Sequence, residues 1–207
     1  MECWHKTRLG WIGGGVAGER PELLVVILAD GATPSAVVRD VVGAWAATLP
    51  LTLFMLFERF LDRSSIEPFL TETLETVGLP PGRLLLVGVR DGATLGLSIA
   101  LSARRPGFAG LLAYDAILEQ MAAPAEQAWR PKIRLIGRDG EGRFAPDLFA
   151  RTIHDLSTLG LDVRGTLLLE PGWTPSAIRI GASYLAELSA SALGVPCAPA
   201  FHPSSRS

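Results

Sequence analysis

The sequence predicts an α/β domain arranged as a three-layer sandwich, a mostly parallel sheet of about six strands with helices on both faces. Two observations predict it. Short, continuous apolar runs alternate with longer segments of helical apolar spacing, the pattern of βαβ crossovers feeding a parallel sheet. One of those runs is joined directly to a helical segment by Gly88-Val89-Arg90-Asp91-Gly92, whose two glycines suit a very sharp strand-to-helix turn. Size and composition agree: 207 residues fit one domain with a substantial core, and 48% hydrophobic against 19% charged residues suit a well-buried fold.

Residues 1–20 are glycine-rich and read either as an edge strand or as a loose arm. Residues 21–194 read as one domain. The run 23–28 is apolar throughout and is ended by Ala29-Asp30-Gly31, which makes it a fully buried strand followed by a loop. Pro34 and Ser35 open a helix carrying Val37, Val38, Val41, Val42 and Trp45 at helical spacing, and 51–57 is the second strand. Ser64 or Ser65 caps the next helix, which buries Phe69, Leu70, Leu74 and Val77 and stops at Gly78. Pro80-Pro81-Gly82 turns into a strand at 83–88, and the helix after the sharp turn runs to Arg104. Further strands are expected at 108–114, 132–136 and 163–169, with helices at 146–159 and from Thr174-Pro175 to Gly194. The tail, 195–207, is rich in proline and serine and is expected to be mobile.

Several function classes are disfavoured. A net charge of −2 without runs of like charge argues against a nucleic-acid surface. No apolar run reaches the roughly 20 residues that span a bilayer. His5, Lys6 and Arg8 before 9–18 bear a faint likeness to a signal peptide, but five glycines interrupt that segment and no cleavage site follows, so a cytoplasmic protein is expected. Cys3 and Cys197 stand at opposite ends of the chain and read as free thiols, not a disulfide framework.

The turn at 88–92 has the context of a nucleophile elbow, in which Gly-x-Ser-x-Gly holds a serine hydroxyl exposed between a buried strand and a helix. Here arginine stands at the serine position. Residues 78–93 resemble the strand-elbow segment of the carboxylesterase/phospholipase branch of the α/β hydrolases, the acyl-protein-thioesterase and dienelactone-hydrolase-like group, where a Gly-Phe-Ser-Gln-Gly-type turn is usual. Residues 105–113, Arg-Pro-Gly-Phe-Ala-Gly-Leu-Leu-Ala, are similar to that family's next strand, and the order of elements agrees from 22 to 193. The resemblance implies the α/β-hydrolase fold and a Ser–His–acid triad whose slots can be followed one by one. Arg90 takes the nucleophile slot, Asp139 stands near the acid slot, and Trp173 falls where the histidine is due, since no histidine occurs between His154 and His202. The His-Gly that helps form the family's oxyanion loop is replaced by Ala29-Asp30-Gly31. Losing the serine or the histidine alone costs about 10⁶-fold in kcat in a serine protease. A degenerate triad and a catalytically inactive, carboxylesterase-like protein are therefore expected.

The carboxyl ends of the strands, where open α/β sheets bind ligands, carry Asp30, Glu58, Arg59, Arg90, Asp91, Asp115, Arg138, Asp139 and Glu170. In one reading these charges neutralise one another, with Arg90 paired to Asp30, Asp115 or Asp139. In the other, Arg90, at a helix N-terminus, binds a carboxylate or phosphate with Asp91, Asp30, Asp115 and Arg138 nearby and Arg138 or Arg143 as a second contact. A carboxylate metal site from Asp30, Asp91, Asp115 and Asp139 has no supporting spacing, so neither a metal nor a cofactor is expected. His154 reads as a surface or satisfied helical histidine, and the glycines at 13–15 do not make a phosphate loop. Residues 121–129 are a candidate lid or partner-binding segment. The expected partner is a protein, either a second copy or an active relative, or a small anionic ligand. The alternatives are a hydrolase rebuilt around Asp91, Asp115 or Asp139 with Arg90 holding an oxyanion, and a flavodoxin-like ligand-binding domain.

Overall fold

The computed structural model describes residues 5–6, 10–14, 20–29, 35–49, 51–57, 63–101, 108–116, 118, 130–139 and 145–194. Its strands are β1 (His5–Lys6), β2 (Gly10–Gly14), β3 (Leu23–Leu28), β4 (Thr52–Phe57), β5 (Leu84–Val89), β6 (Gly110–Tyr114), β7 (Lys132–Arg138) and β8 (Val163–Leu168). The helices are α1 (Ser35–Ala46), α2 (Arg63–Val77), α3 (Asp91–Ala100), α4 (Pro146–Thr158) and α5 (Pro175–Leu193).

All eight strands form one sheet in the order β1-β2-β4-β3-β5-β6-β7-β8. The six strands from β3 to β8 are parallel, and β2 joins β4 antiparallel with Trp11 opposite Leu56. The sheet thus has two more strands than the periodicity predicts. Both lie in the glycine-rich N-terminal segment, where glycines in place of alternating apolar residues leave no strand period to read.

Alternation along the parallel strands divides the core in two. Leu23, Val25 and Ile27 of β3 and Leu85 and Val87 of β5 face Val38, Val42 and Trp45 of α1 and Leu185 and Leu188 of α5. Leu24, Val26, Leu84 and Leu86 face Ile66 and Leu70 of α2, Leu97 of α3 and Phe149 and Leu156 of α4. That is the expected three-layer sandwich. β8 departs from the pattern: it closes the sheet, and its residues are half-buried or exposed.

Strand order alone does not remove the flavodoxin-like alternative. The first five parallel strands follow the 2-1-3-4-5 order that flavodoxin-like sheets also have. The antiparallel pair β1 and β2, the added parallel strand β8 and the turn after β5 set this fold apart. Two boundaries also moved. The helix after the turn ends at Ala100, and β7 extends to Arg138, so Arg138 belongs to a strand and not to the loop beyond it.

Candidate ligand site at the carboxyl ends of the strands

Each central strand keeps its ladder for one residue beyond its end. The Arg90 N–H donates to the Tyr114 carbonyl, the Asp115 N–H to that of Ile136 and the Asp139 N–H to that of Leu168, each at 2.8 Å. Arg90, Asp115 and Arg138 are thereby brought to neighbouring strand ends at one level of the sheet.

Arg90 has φ 51 and ψ −112, a conformation that side chains with a Cβ rarely adopt. The packing around it forces this turn. A Cβ on Gly92 would collide with the Leu28 carbonyl oxygen of β3, and one on Gly88 would collide with the backbone of Ala93. The chain therefore passes from β5 into α3 within one residue, and the Thr94 N–H donates to the Arg90 carbonyl at 2.9 Å to begin the helix. Arg90 is half-buried at the apex, and Asp91 is exposed in the first turn of α3.

Asp115 also has positive φ, at 53, a region that aspartate tolerates better than most residues. Asp115 is 4% exposed and Arg138 is 1% exposed. The Arg138 backbone N–H donates to Asp115 Oδ1 at 2.8 Å, its Nε donates to Oδ2 at 2.9 Å, and its Nη2 donates to Oδ2 as well. Trp173, in the loop from β8 to α5, covers the pair, with the guanidinium carbon 4.6 Å from its ring centroid and 5.5 Å from that of Tyr114. Trp173 tilts onto Tyr114 at 4.7 Å, and Trp45 stacks on the same tyrosine at 6.1 Å. Trp45 Nε1 donates to the Ile178 carbonyl at 3.0 Å and the Tyr114 hydroxyl to that of Ala177 at 3.2 Å, so both buried polar tips are satisfied. Burial pushes the Tyr114 phenol far above its ordinary range, and the smaller opposing pull of Arg138 does not offset it. Tyr114 is a neutral donor here.

Of the residues singled out from sequence, the structure brings together Asp115, Arg138 and Trp173. Asp139 is half-buried at the end of β7, and Glu170 is exposed beyond β8. His154 is exposed on α4, with its carbonyl accepting from Thr158 Oγ1 at 3.0 Å. Asp30, Glu58, Arg59, Arg143, the candidate lid at 121–129 and the tail 195–207 lie outside the described residues. Among the described residues no group of three or more His, Cys, Asp or Glu side chains could hold a metal, and no helix is long and apolar enough to cross a membrane.

Sequence reasoning missed the buried Arg134. It donates from Nε and Nη2 to Glu187 at 3.2 and 2.6 Å and from Nη1 to Asp162 Oδ1 at 3.0 Å, tying β7 to α5 and to the start of β8. Burial opposes its charge, but these bonds outweigh that and raise its pKa, while the Arg134 guanidinium holds the Glu187 carboxyl below its usual range. A signal was present. Arg134 and Arg138 are four residues apart in an apolar strand, so both face one side of the sheet, and a buried arginine there requires a carboxylate.

No protein-family model and no curated protein matches the sequence. Solved structures do match in shape. The esterase PE8 superposes with a TM-score of 0.70 at 19% identity, over 87% of this chain and 98% of that one. A putative dienelactone hydrolase from Klebsiella pneumoniae gives 0.70 at 10% identity, over 92% and 98%. A carboxylesterase from Mesorhizobium loti gives 0.69 at 14% identity, over 82% and 91%. With the elbow turn after β5 and the antiparallel β2 beside β4, these likenesses establish the fold: the chain has an α/β-hydrolase-like fold, similar in shape to these esterases and hydrolases.

Proposed function

We propose that this is a non-hydrolytic α/β-hydrolase-fold protein that works by binding a small anion at the elbow. Arg90 and the first backbone N–H groups of α3 would hold a carboxylate or phosphate there. The observation that carries the reading is the conformation of Arg90. Holding a non-glycine residue at φ 51 and ψ −112 costs about 1–3 kcal/mol, and such strain concentrates at functional sites. A guanidinium at that apex has a helix N-terminus behind it, and dipole and fork then act on the same negative group.

Ester hydrolysis lacks its parts. Position 90 offers no nucleophile, and residues 169–174 after the last strand contain no histidine to deprotonate one. The rebuilt-hydrolase alternative needs a carboxylate base, and Asp115 is a poor one because three hydrogen bonds from Arg138 occupy its oxygens. Asp91 and Asp139 remain for that reading.

The test joins two assays. Short-chain nitrophenyl esters and thioesters should be hydrolysed at the background rate, and Arg90→Ser should leave that unchanged. Calorimetric titration with malate, a dicarboxylate found with the fold neighbour YahD, and with inorganic phosphate should give binding that Arg90→Ala abolishes. Hydrolysis well above background that vanishes in Asp139→Ala would establish the rebuilt enzyme instead. Binding of neither anion, or binding indifferent to Arg90→Ala, would remove the anion site.

A further inference from the structure

Trp173 is held rigidly and yet meets solvent. The loop from β8 to α5 carries it between Gly172, at φ 82, and Thr174, whose Oγ1 accepts from the Ala177 N–H at 3.2 Å and so begins α5. Three contacts fix the indole: the Arg138 guanidinium at 4.6 Å, the Tyr114 ring at 4.7 Å and the Trp45 ring, nearly edge-on, at 6.4 Å. Those three partners are each at most 1% exposed, whereas Trp173 is half-buried. Water therefore reaches the indole from the side turned away from them. The elbow lies close by. Trp173 packs on the same apolar cluster as Val89, the residue before Arg90. Arg90 follows β5, Tyr114 ends β6 and Arg138 ends β7, three neighbouring strands. Two strand spacings put the backbones of Arg90 and Arg138 about 10 Å apart across the strand ends.

We infer that Trp173 is a stacking wall of the elbow site and that the ligand is an aryl carboxylate or aryl phosphate, a flat ring carrying the acid group. The inference rests on anion binding at Arg90 and supplies the part of the ligand that the anion leaves undefined. Three points select a ring. A bare phosphate or acetate held at the elbow is too small to reach across about two strand spacings to the indole, whereas a ring extends from its acid group in that direction. An indole already fixed on its inner side gives up little side-chain entropy when a second ring stacks on it. The third point is electrostatic. The Arg138 guanidinium engages the negative face of the indole, which makes the outer side a poor seat for another cation and a better one for the ring of an anionic ligand. Since Asp115 neutralises Arg138, the wall adds no net charge of its own, and the acid group is left to the elbow.

Calorimetric titration of the full chain with benzoate and phenyl phosphate, each set against its ring-free counterpart, acetate and inorganic phosphate, tests it. The aryl acids should bind about tenfold more tightly than their counterparts, and the pair with the larger gain identifies the acid group. Cyclohexanecarboxylate, similar in apolar area but not flat, should bind about threefold more weakly than benzoate. Trp173→Leu should bring benzoate down to the affinity of acetate, while Trp173→Phe should keep most of the gain. Should Trp173→Leu fail to fold because it opens the Asp115–Arg138 pair to water, the wild type still reports. The indole N–H resonance of Trp173, assigned as the one missing from Trp173→Phe, should move with benzoate and stay in place with acetate. Aryl acids that bind no more tightly than acetate and phosphate, or a gain that survives Trp173→Leu with the indole resonance unmoved, overturn the inference. Anion binding that Arg90→Ala still abolishes would in either case leave the elbow site standing. Binding of none of these anions removes the elbow site, and the inference falls with it.

Discussion

Asp115 and Arg138 form a buried ion pair whose size can be worked from its geometry. Neither is more than 4% exposed, three hydrogen bonds join them, and Trp173 closes over the guanidinium at 4.6 Å. Removing one partner of such a pair strands the other charge away from water, at about 3–5 kcal/mol. Asp115→Asn is the cleaner single variant, because asparagine tolerates the left-handed backbone at φ 53; Asp115→Ala should lose about 1 kcal/mol more from that backbone alone. Arg138→Met should cost a similar 3–5 kcal/mol, including about 0.5–2 kcal/mol of cation–π attraction to Trp173. The double variant strands no charge and should lose only about 2–3 kcal/mol, mostly because the introduced amide is left short of partners. A coupling of at least about 2 kcal/mol between the two sites follows. Urea unfolding followed by tryptophan fluorescence reads it, provided the slope is the same in all four proteins. Single variants costing under about 1 kcal/mol each, with coupling under about 0.5, would mean that water reaches the pair and that Trp173 is not its roof.

Three other outcomes are expected. Arg90→Gly relieves a backbone strain of about 1–3 kcal/mol against a glycine entropy cost of about 0.5–1, so it should raise Tm by a few degrees while losing malate and phosphate binding; a fall in Tm would show that Arg90 is not strained in solution. Gly181→Ala places a methyl on the Tyr114 hydroxyl and 3.1 Å from Trp45 Cζ2, an overpacking of about 1–3 kcal/mol, and Tyr114→Phe should suppress at least half of that loss in the double variant. The third concerns pH. Arg134 lowers the pKa of Glu187, so the stability from that pair is present above the unfolded glutamate value of about 4.3 and is lost as pH falls through the lower folded value. Glu187→Gln should therefore melt earlier at pH 7 and lose less Tm on acidification than wild type; parallel Tm-against-pH curves would exclude that linkage.

Much of the fold was legible because the parallel strands advertise themselves. β3 and β5 are apolar at every position, as strands covered on both faces must be, and the helices between them carry a helical apolar period. The elbow was legible from Gly88 and Gly92, since the close approach of Leu28 and Ala93 leaves no room for a Cβ at either position. β1 and β2 were legible only as an edge strand or a loose arm, because Gly10-Trp11-Ile12-Gly13-Gly14 shows no period-two alternation and His5-Lys6 is too short to show one. Within the site, the strand-end charges could be named but their pairing could not. That Asp115 meets Arg138 depends on β7 running two residues further than its apolar segment, which carries Arg138 into the sheet beside Asp115. The aromatic cluster joins Trp45, Tyr114 and Trp173 from three distant segments, and only the tertiary fold assembles it.

The two positive-φ residues at neighbouring strand ends call for different explanations, and the difference bears on ligand affinity. The backbone of Asp115 aims its carboxylate at Arg138, so the buried pair repays that conformation. At position 90 the contacts of Gly88 and Gly92 fix the turn whatever residue stands there, and glycine would be the least strained choice. On the proposed reading, the arginine at that apex is there for its guanidinium, which would meet the anion. On that reading, an anion at the elbow would be met chiefly by Arg90 and the α3 N-terminus, since the Arg138 guanidinium is hydrogen-bonded to Asp115. Two charge-assisted hydrogen bonds at about 1.5–3 kcal/mol each, plus about 0.3–2 from the helix end, are largely offset by the cost of association. A simple anion such as phosphate should then bind only at about millimolar concentrations, and weaken with salt. A ligand recognised at micromolar concentrations must add apolar or polar contacts beyond its anionic group, so malate should bind more tightly than phosphate, and equal affinities would mean that the site reads charge alone.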